Sequence, residues 1–441
     1  MNKVKFNVNK FGGTSVGTSS AIKQVAEILL NESNSLAVLS ACSGITNKLM
    51  QIADNSLGNL NLALKLIDEI EDFHLILANE LAIKMQVENQ IKEVANDLRT
   101  FAKGINLLGE KQVSVENRIL AKGEILSTYI FHSYLVNILK IESSLIFAPD
   151  FLIFDGLDYS LINQLELQKE LSQNKICVTQ GFIANNQNKQ ITNLGRGGSD
   201  WSAAIFGASL GAAKINIWTD VDGILTSDPR IVAEANLINE IDYESIKIAA
   251  FLGAKVLHPA TIAPAMKLGI DVCIRNTFNL RSKGSLINND CSDKNVVIVT
   301  KENICLVKAS KCKEINTFLL LLAEANIDIY YEQVFAEEIQ IFIDNSNPKL
   351  GFILDNYLPI GSVVELCNLI SAIETGDVSS TYKKNNFDIS ALLGIFKKVE
   401  LTLYVAMANE RAQLFFIKTN RLKELTNLLY NATNKAGASG Y

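Results

Sequence analysis

The sequence predicts an α/β protein: a three-layer sandwich around a mostly parallel sheet, followed by two small α+β units of ferredoxin-like type. Three observations carry this. Through about residue 290, short and near-continuously apolar runs alternate with helical patterns, as strands covered on both faces alternate with crossover helices. Apolar residues make up 48% of the chain and charged ones 20%, enough to build a buried core. After a polar stretch, Asn276–Asn295, the order becomes strand–helix–strand–strand–helix, roughly twice.

The elements follow in order. The first strand, KFNVNKF, runs into glycines and then a helical pattern from near Ser20. SLAVLSA (Ser35–Ala41), KICVTQGFI (Lys175–Ile183), KINIWTDV (Lys214–Val221) and IDVCIRN (Ile270–Asn276) read as buried strands. NLALKLIDEIEDFHLILANEL (Asn61–Leu81) repeats apolar residues every three or four positions without Pro or Gly, which makes it an amphipathic helix. DWSAAIFGASLGA (Asp200–Ala212) is a shorter helix of small residues. Beyond residue 295 the first repeat is ICLVKA, a helix in KEINTFLLLLAEAN, strands IDIYYEQV and EIQIFID, and a helix around PKLGFILDNY. The second is LCNLISAIE, a helix near FDISALLGIFK, strands VELTLYVAMA and AQLFFIK, and a helix in RLKELTNLLYNA. The expected boundaries are 1–290, 296–366 and 367–441, with an interleaving of the last two left open.

The totals narrow the function. The 441 residues suit several domains. A net charge of −6 argues against a nucleic-acid surface. No apolar run approaches the roughly eighteen residues of a membrane helix. NKVKFNV leads into the first strand with no apolar signal region, so a cytoplasmic location is expected. The seven cysteines form no C-x-x-C pair and the three histidines do not cluster, so a zinc site is not expected and the thiols read as buried and reduced.

Five stretches carry chemistry. In NKFGGTSVGT (Asn9–Thr18), Gly12 to Gly17 has the G-x-x-x-x-G spacing of a P-loop, but Thr18 stands where its lysine belongs and Lys10 precedes the glycines. The residues fit two readings: a tight strand-to-helix turn with a solvated lysine, or an anion seat made by backbone N–H groups, a helix N-terminus and Lys10. TNLGRGGSDWSAA (Thr192–Ala204) repeats the design, with Arg196 beside Gly197 and Gly198 and with Ser199 and Asp200 at the helix cap. Two such corners suggest phosphate on one and carboxylate on the other. In WTDVDGILTSDPR (Trp218–Arg230), Thr219 and Asp220 end a buried strand, where open parallel sheets bind ligands. Its aspartates do not match a calcium loop. LSACSGITNKL (Leu39–Leu49) gives a hydroxyl-lined turn, and AKGEILST (Ala121–Thr128) places Glu124 after a glycine inside a helix, where a lone glutamate is ordinarily solvated.

Taken together, KFGGTSVG, LSACSGITN, GEILST, TQGFI, NLGRGGSDWSAA, WTDVDGILTSDPR and GAKVLHP closely resemble the aspartate kinases of the amino acid kinase family. The resemblance covers about the first 290 residues; relatives such as glutamate 5-kinase lack Thr-Ser after Gly-Gly and this R-G-G-S-D. The C-terminal repeats resemble that family's paired ACT domains. The resemblance implies transfer of the γ-phosphoryl of ATP to the β-carboxylate of L-aspartate, the first step toward lysine, threonine and methionine. Mg²⁺ would come with ATP, and the protein itself would hold no metal. Lys10 would contact the transferring phosphoryl group and Asp200 would organise the centre. Arg196 would clamp the α-carboxylate and Glu124 would take the α-ammonium. Ser40, Thr46, Gly197, Gly198 and Ser199 would line the substrate pocket. Gly12, Gly13, Ser15, Thr219, Asp220, Leu225, Arg230, Lys255 and Val256 would surround the nucleotide, and His258 would be structural. A homodimer or larger homo-oligomer through the C-terminal units is implied. No appended homoserine dehydrogenase is expected in 441 residues.

The sequence departs from the pattern in three places. Leu225 stands where an aromatic residue is expected near the adenine, and the stretch after FAPDFLIF, with Asp150, lacks an Arg-rich closing loop. In the first repeat, the helix has no glycine turn, Tyr330 replaces an acidic residue, and Phe335 and Ala336 replace hydroxyl and carboxylate residues. An effector ammonium would lack its partner there, so lysine inhibition of the usual kind is expected to be lost or remodelled.

Overall fold

The computed structural model describes residues 6–32, 34–156, 158–254, 257, 259–291, 293–376, 401–408 and 411–434. The helix expected in FDISALLGIFK lies outside them. The chain forms two compact units, one of Met1–Ile224 with Leu257–Asn289, the other of Leu225–Val256 with Asp290–Tyr441.

The first unit runs β1 (Asn7–Phe11), α1 (Ser19–Leu30), β2 (Ser35–Leu39), then four helices, α2 (Ile45–Gly58), α3 (Leu60–Glu80), α4 (Lys84–Leu108) and α5 (Val113–Ser133). It continues through β3 (Ser143–Ile146), β4 (Leu152–Phe154), β5 (Tyr159–Leu161), α6 (Gln164–Gln173), β6 (Ile176–Gln180), β7 (Ile183–Asn185), β8 (Ile191–Asn193), α7 (Gly198–Leu210) and β9 (Lys214–Thr219). The chain passes through β10 (Glu240–Asp242) and α8 (Tyr243–Phe251) in the second unit, then returns as α9 (Pro259–Lys267), β11 (Val272–Asn276) and β12 (Ser285–Asn288). Seven strands of the first unit lie in the order β12-β11-β9-β1-β2-β6-β3. All neighbours are parallel except the pair β11–β12. Val8, Leu36, Val38, Val178, Ile215 and Val272 are buried in it, which is why these strands read as continuous apolar runs. The strands in SLAVLSA, KICVTQGFI and KINIWTDV end short of their apolar runs, because the chain leaves the sheet at the C-terminal end to make the turns described below. A second sheet, β5-β4-β7-β8, is small.

The second unit adds β13 (Val296–Ser310), α10 (Lys313–Glu324), β14 (Ile329–Val334), β15 (Glu338–Asp344), α11 (Lys349–Tyr357), β16 (Val363–Glu374), β17 (Thr402–Ala408), β18 (Ala412–Lys418) and α12 (Leu422–Asn434). Its sheet has the order β14-β15-β13-β16-β18-β17, antiparallel throughout. A break at residue 366 falls inside β16, so the two expected repeats share their long strands β13 and β16. A bulge between Lys301 and Ile304 divides β13. Beyond it, Cys305, Val307 and Ala309 pack under α10 and α11; before it, Ile298 packs with Ile370, Phe415 and α12. Phe342 of β15 and Phe416 of β18 lie three strands apart, about 14 Å in a flat sheet. Their ring centroids are 4.1 Å apart, so the sheet folds on itself at the bulge.

Leu225–Val256 departs from the sequence reading, which kept it in the first domain. Val232 packs among Phe415, Leu425 and Leu429, and the Tyr430 and Thr226 hydroxyls are 2.9 Å apart. Asp242 accepts from Ser245 N at 2.9 Å and from Arg411 Nη1 at 3.0 Å. Apart from Ser245, these partners are far away in sequence, so no local pattern could reveal them. Six of the seven cysteines are buried and all are free; burial pushes the Cys42, Cys177 and Cys367 thiols up to about 12. Among the described residues, no helix is long and apolar enough to cross a membrane.

Candidate active site

The C-terminal ends of the parallel strands converge, and backbone hydrogen bonds tie their turns together. Gly12 N–H donates to Trp218 O at 3.1 Å, Ser40 N–H to Phe11 O at 3.1 Å, and Ser43 N–H to Gly13 O at 3.0 Å. Gly13 is needed for this approach, since a Cβ there would sit 2.8 Å from Ala41 O. Thr18 has a job of its own: it is the N-cap of α1, accepting from Ala21 N–H at 3.2 Å. The cap satisfies one of the N–H groups that the start of α1 leaves free.

Lys10 stands on β1 beside Val38 of β2 and Ile217 of β9, near the middle of the sheet. Its Nζ lies 2.7 Å from Asp200 Oδ1, and both side chains are largely shielded, 12% and 17% exposed. Helix α7 begins two residues earlier than expected. Gly197 is its N-cap at φ 71, so Ser199 and Asp200 lie inside the first turn rather than at the cap. An aspartate there complements the helix dipole. The turn after β6 packs tightly under it: a Cβ on Gly181 would meet Ser199 Cβ at 2.6 Å, and one on Gly198 would meet Phe182 at 2.8 Å. Arg196 is exposed on the turn before the helix.

Glu124 is the group with unspent capacity. It is 3% exposed on α5, and its Oε1 accepts from Ala41 N–H at 3.1 Å. Its Oε2 is buried and has no partner. Burial raises its pKa to about 8; the hydrogen bond from Ala41 and the charge of Lys10 pull the other way. A buried carboxylate held by one oxygen and open at the other is shaped to receive a cation.

Residues 5–276, more than half of the chain, match the amino acid kinase family. The chain belongs to this family. The bifunctional aspartokinase/homoserine dehydrogenase of Buchnera aphidicola is 36% identical over 65% of this chain and 37% of its own length. This chain spans about a third of the length of the first curated relatives it matches. The lysine-sensitive aspartokinase 3 of Escherichia coli is 28% identical over 91% of this chain and 87% of its own. The crystal structure of E. coli aspartokinase III in complex with aspartate and ADP matches with a TM-score of 0.82 at 24% identity, over 97% of this chain and 99% of that one, and this shows the shared fold.

Within this amino acid kinase, Lys10, Gly12, Gly13, Ser40, Thr46, Glu124, Gly197, Gly198, Ser199, Asp200, Thr219 and Asp220 all belong to the first unit, most of them at strand ends, turns and helix starts, with Glu124 inside α5. Asp220 is exposed, and its Oδ1 accepts from Thr219 Oγ1 at 3.1 Å. Ser15 differs from expectation: it is buried, and its hydroxyl lies 2.7 Å from that of Thr277. It braces the turn instead of facing outward. Leu225 and Arg230 fall in the second unit, Leu225 bridged to Leu237 and Arg230 folded back on Asp228. Lys255, Val256 and His258 lie outside the described residues.

Sequence reasoning missed two groups of supporting residues. Asn9, next to Lys10, is fully buried. It donates to Glu32 Oε2 at 2.8 Å and accepts from Asn216 Nδ2 at 2.9 Å and Trp218 Nε1 at 3.0 Å. Gln180 donates to Thr128 Oγ1 at 2.9 Å and accepts from Ala148 N–H at 2.9 Å, joining α5 to β6. A polar amide inside a run such as ICVTQ was the available signal.

Proposed function

We propose that the chain is an ATP-dependent aspartate kinase, moving the ATP γ-phosphoryl group to the β-carboxylate of L-aspartate to give β-aspartyl phosphate. The observation that carries this is Glu124, whose buried and unpartnered Oε2 shares its turn cluster with the shielded Lys10–Asp200 pair. Aspartate brings one ammonium and two carboxylates. Glu124 takes the ammonium and Arg196 the α-carboxylate, which leaves the β-carboxylate directed at the nucleotide. Ser40, Thr46 and the Gly197–Ser199 turn line this end.

The nucleophile is already ionised at neutral pH, so no side chain need act as general base. The difficulty is bringing an anion to a polyanion, and the residues answer it by positioning and charge neutralisation. Lys10 shares its charge between Asp200 and the transferring phosphoryl group, and the glycine turn that follows Gly12 lets the backbone come close to phosphate oxygens. Asp200 holds Lys10 in place. Mg²⁺, arriving with ATP, supplies further charge neutralisation on the phosphates. Nucleotide roles for Thr219, Asp220, Leu225, Arg230, Lys255 and Val256 rest on the resemblance, as do the cytoplasmic location, the place at the head of lysine, threonine and methionine synthesis, and a homo-oligomer formed through ACT-like units.

A hydroxylamine trap with ATP and a panel of L-aspartate, L-glutamate and N-acetyl-L-glutamate tests the reading. Aspartyl hydroxamate is expected from aspartate alone. Hydroxamate from another acid and none from aspartate would overturn it.

A further inference from the structure

Helix α5 grips a single peptide group at both poles. The peptide joining Ser40 to Ala41 donates its N–H to Glu124 Oε1 at 3.1 Å, and its carbonyl accepts from Ser127 Oγ at 2.8 Å. Glu124 and Ser127 are three residues apart, hence on one face of the helix. Ser127 is 1% exposed, and its other acceptor, the Glu124 carbonyl, is farther away at 3.1 Å. Gly123 permits the close approach: a Cβ there would sit 2.7 Å from Ala41 Cβ. We propose that Ser127 is a positioning residue for substrate binding. By holding the Ser40 carbonyl it orients the Ser40–Ala41 peptide so that Ala41 N–H fixes Glu124 Oε1 and leaves Oε2 open to the substrate ammonium.

The physics is that of a polarised chain of hydrogen bonds. A bond accepted at the carbonyl makes the N–H of the same peptide a stronger donor, and that N–H favours the ionised form of Glu124. The charged and titratable groups acting on Glu124 are Lys10 from β1, which favours its anion, and the Cys42 thiol from the turn after β2, which is neutral at ordinary pH. Without the Ser127 hydroxyl, the peptide can tilt and the anion loses part of its support. The substrate role rests on the aspartate kinase reading; the clamp itself does not.

The test compares Ser127→Ala and Ser127→Thr in the full chain. Titration of the Glu124 side-chain carboxyl by ¹³C NMR, assigned with Glu124→Gln, should give a midpoint of about 8 in the parent. That midpoint should move to higher pH in Ser127→Ala and stay in place in Ser127→Thr. The KM for aspartate should rise about tenfold in Ser127→Ala, the scale of one lost hydrogen bond to a charged network, while the KM for ATP stays within about twofold. An unmoved midpoint in Ser127→Ala overturns the clamp whatever reaction the protein performs. A moved midpoint in a protein that does not phosphorylate aspartate upholds the clamp and refutes the substrate.

Discussion

At the scale of single residues, three ionisable groups, Lys10, Arg196 and Glu124, divide the proposed work. Lys10 is shielded and paired, so its charge acts in a low-dielectric setting where it stabilises phosphoryl transfer more than an exposed lysine could. Lys10→Ala should lower kcat by at least about a hundredfold, while circular dichroism shows an unchanged fold. Near-normal turnover would remove Lys10 from the mechanism. Arg196→Ala should raise the KM for aspartate and leave that for ATP in place. Glu124 makes its own pH signature. The folded protein holds its proton to about 8, whereas the ordinary value is 4.5. Ammonium binding needs the anion, so the KM for aspartate should fall as pH rises toward 8. Below that pH, aspartate binding should release a proton from Glu124, which calorimetry in buffers of different ionisation enthalpy would detect. The stability sign is the reverse of the usual carboxylate case: between about 4.5 and 8 the unfolded chain ionises this group and the folded one does not, so its contribution to stability declines as pH rises. Glu124→Gln should abolish both the proton release and the slope.

At the scale of elements, the strand-end turns were legible because their signals are local. A glycine pair after an apolar run, or Arg-Gly-Gly-Ser-Asp before small helical residues, announces a close backbone approach within ten residues. Gly123 shows how much depends on it. Gly123→Ala places a methyl 2.7 Å from Ala41 Cβ and 3.2 Å from Leu49 Cδ1, so α5 must retreat from the turn after β2. Overpacking of this kind costs about 1–3 kcal/mol. A lower melting temperature together with a raised KM for aspartate is the expected pair of results; lost stability with unchanged KM would separate α5 from the site. Other features were not legible. Ser15 reads as a loop hydroxyl, and only the fold shows that Thr277, 262 positions away, claims it. The bulge in β13 falls in TKEN, the polar break between the two apolar halves of VVIVTKENICLVKAS, with Asn303 at φ 59; in sequence such a break reads as a loop between strands, and only the pairing with β16 shows one strand.

At the scale of the whole molecule, the second unit bears on regulation. Tyr330 is buried, and its hydroxyl receives Lys301 Nζ, which also lies 3.0 Å from Asp344 Oδ2. A cation from the chain itself thus occupies this neighbourhood, and Phe335 and Ala336 are exposed. Free L-lysine at low millimolar concentration should therefore leave activity unchanged; inhibition at that concentration or below would refute this expectation. The alternation of strands and helices made the parallel sheet legible, and the repeat made the antiparallel one legible. Their sharing of β13 and β16, and the attachment of Leu225–Val256 to the C-terminal unit, depend on pairings across more than fifty residues, which no window of sequence contains.

The cysteines have a practical consequence. Six are sealed inside the protein, with Cys42, Cys177 and Cys367 held far from the thiolate form at ordinary pH, so they should ignore alkylating reagents while the fold is intact. Cys312, the N-cap of α10, is the one described thiol that is only half-buried. A maleimide dye should therefore attach at a single place without any cysteine being engineered away. Its fluorescence would report on the surroundings of α10, and labelling at the remaining thiols would serve as a clock for unfolding.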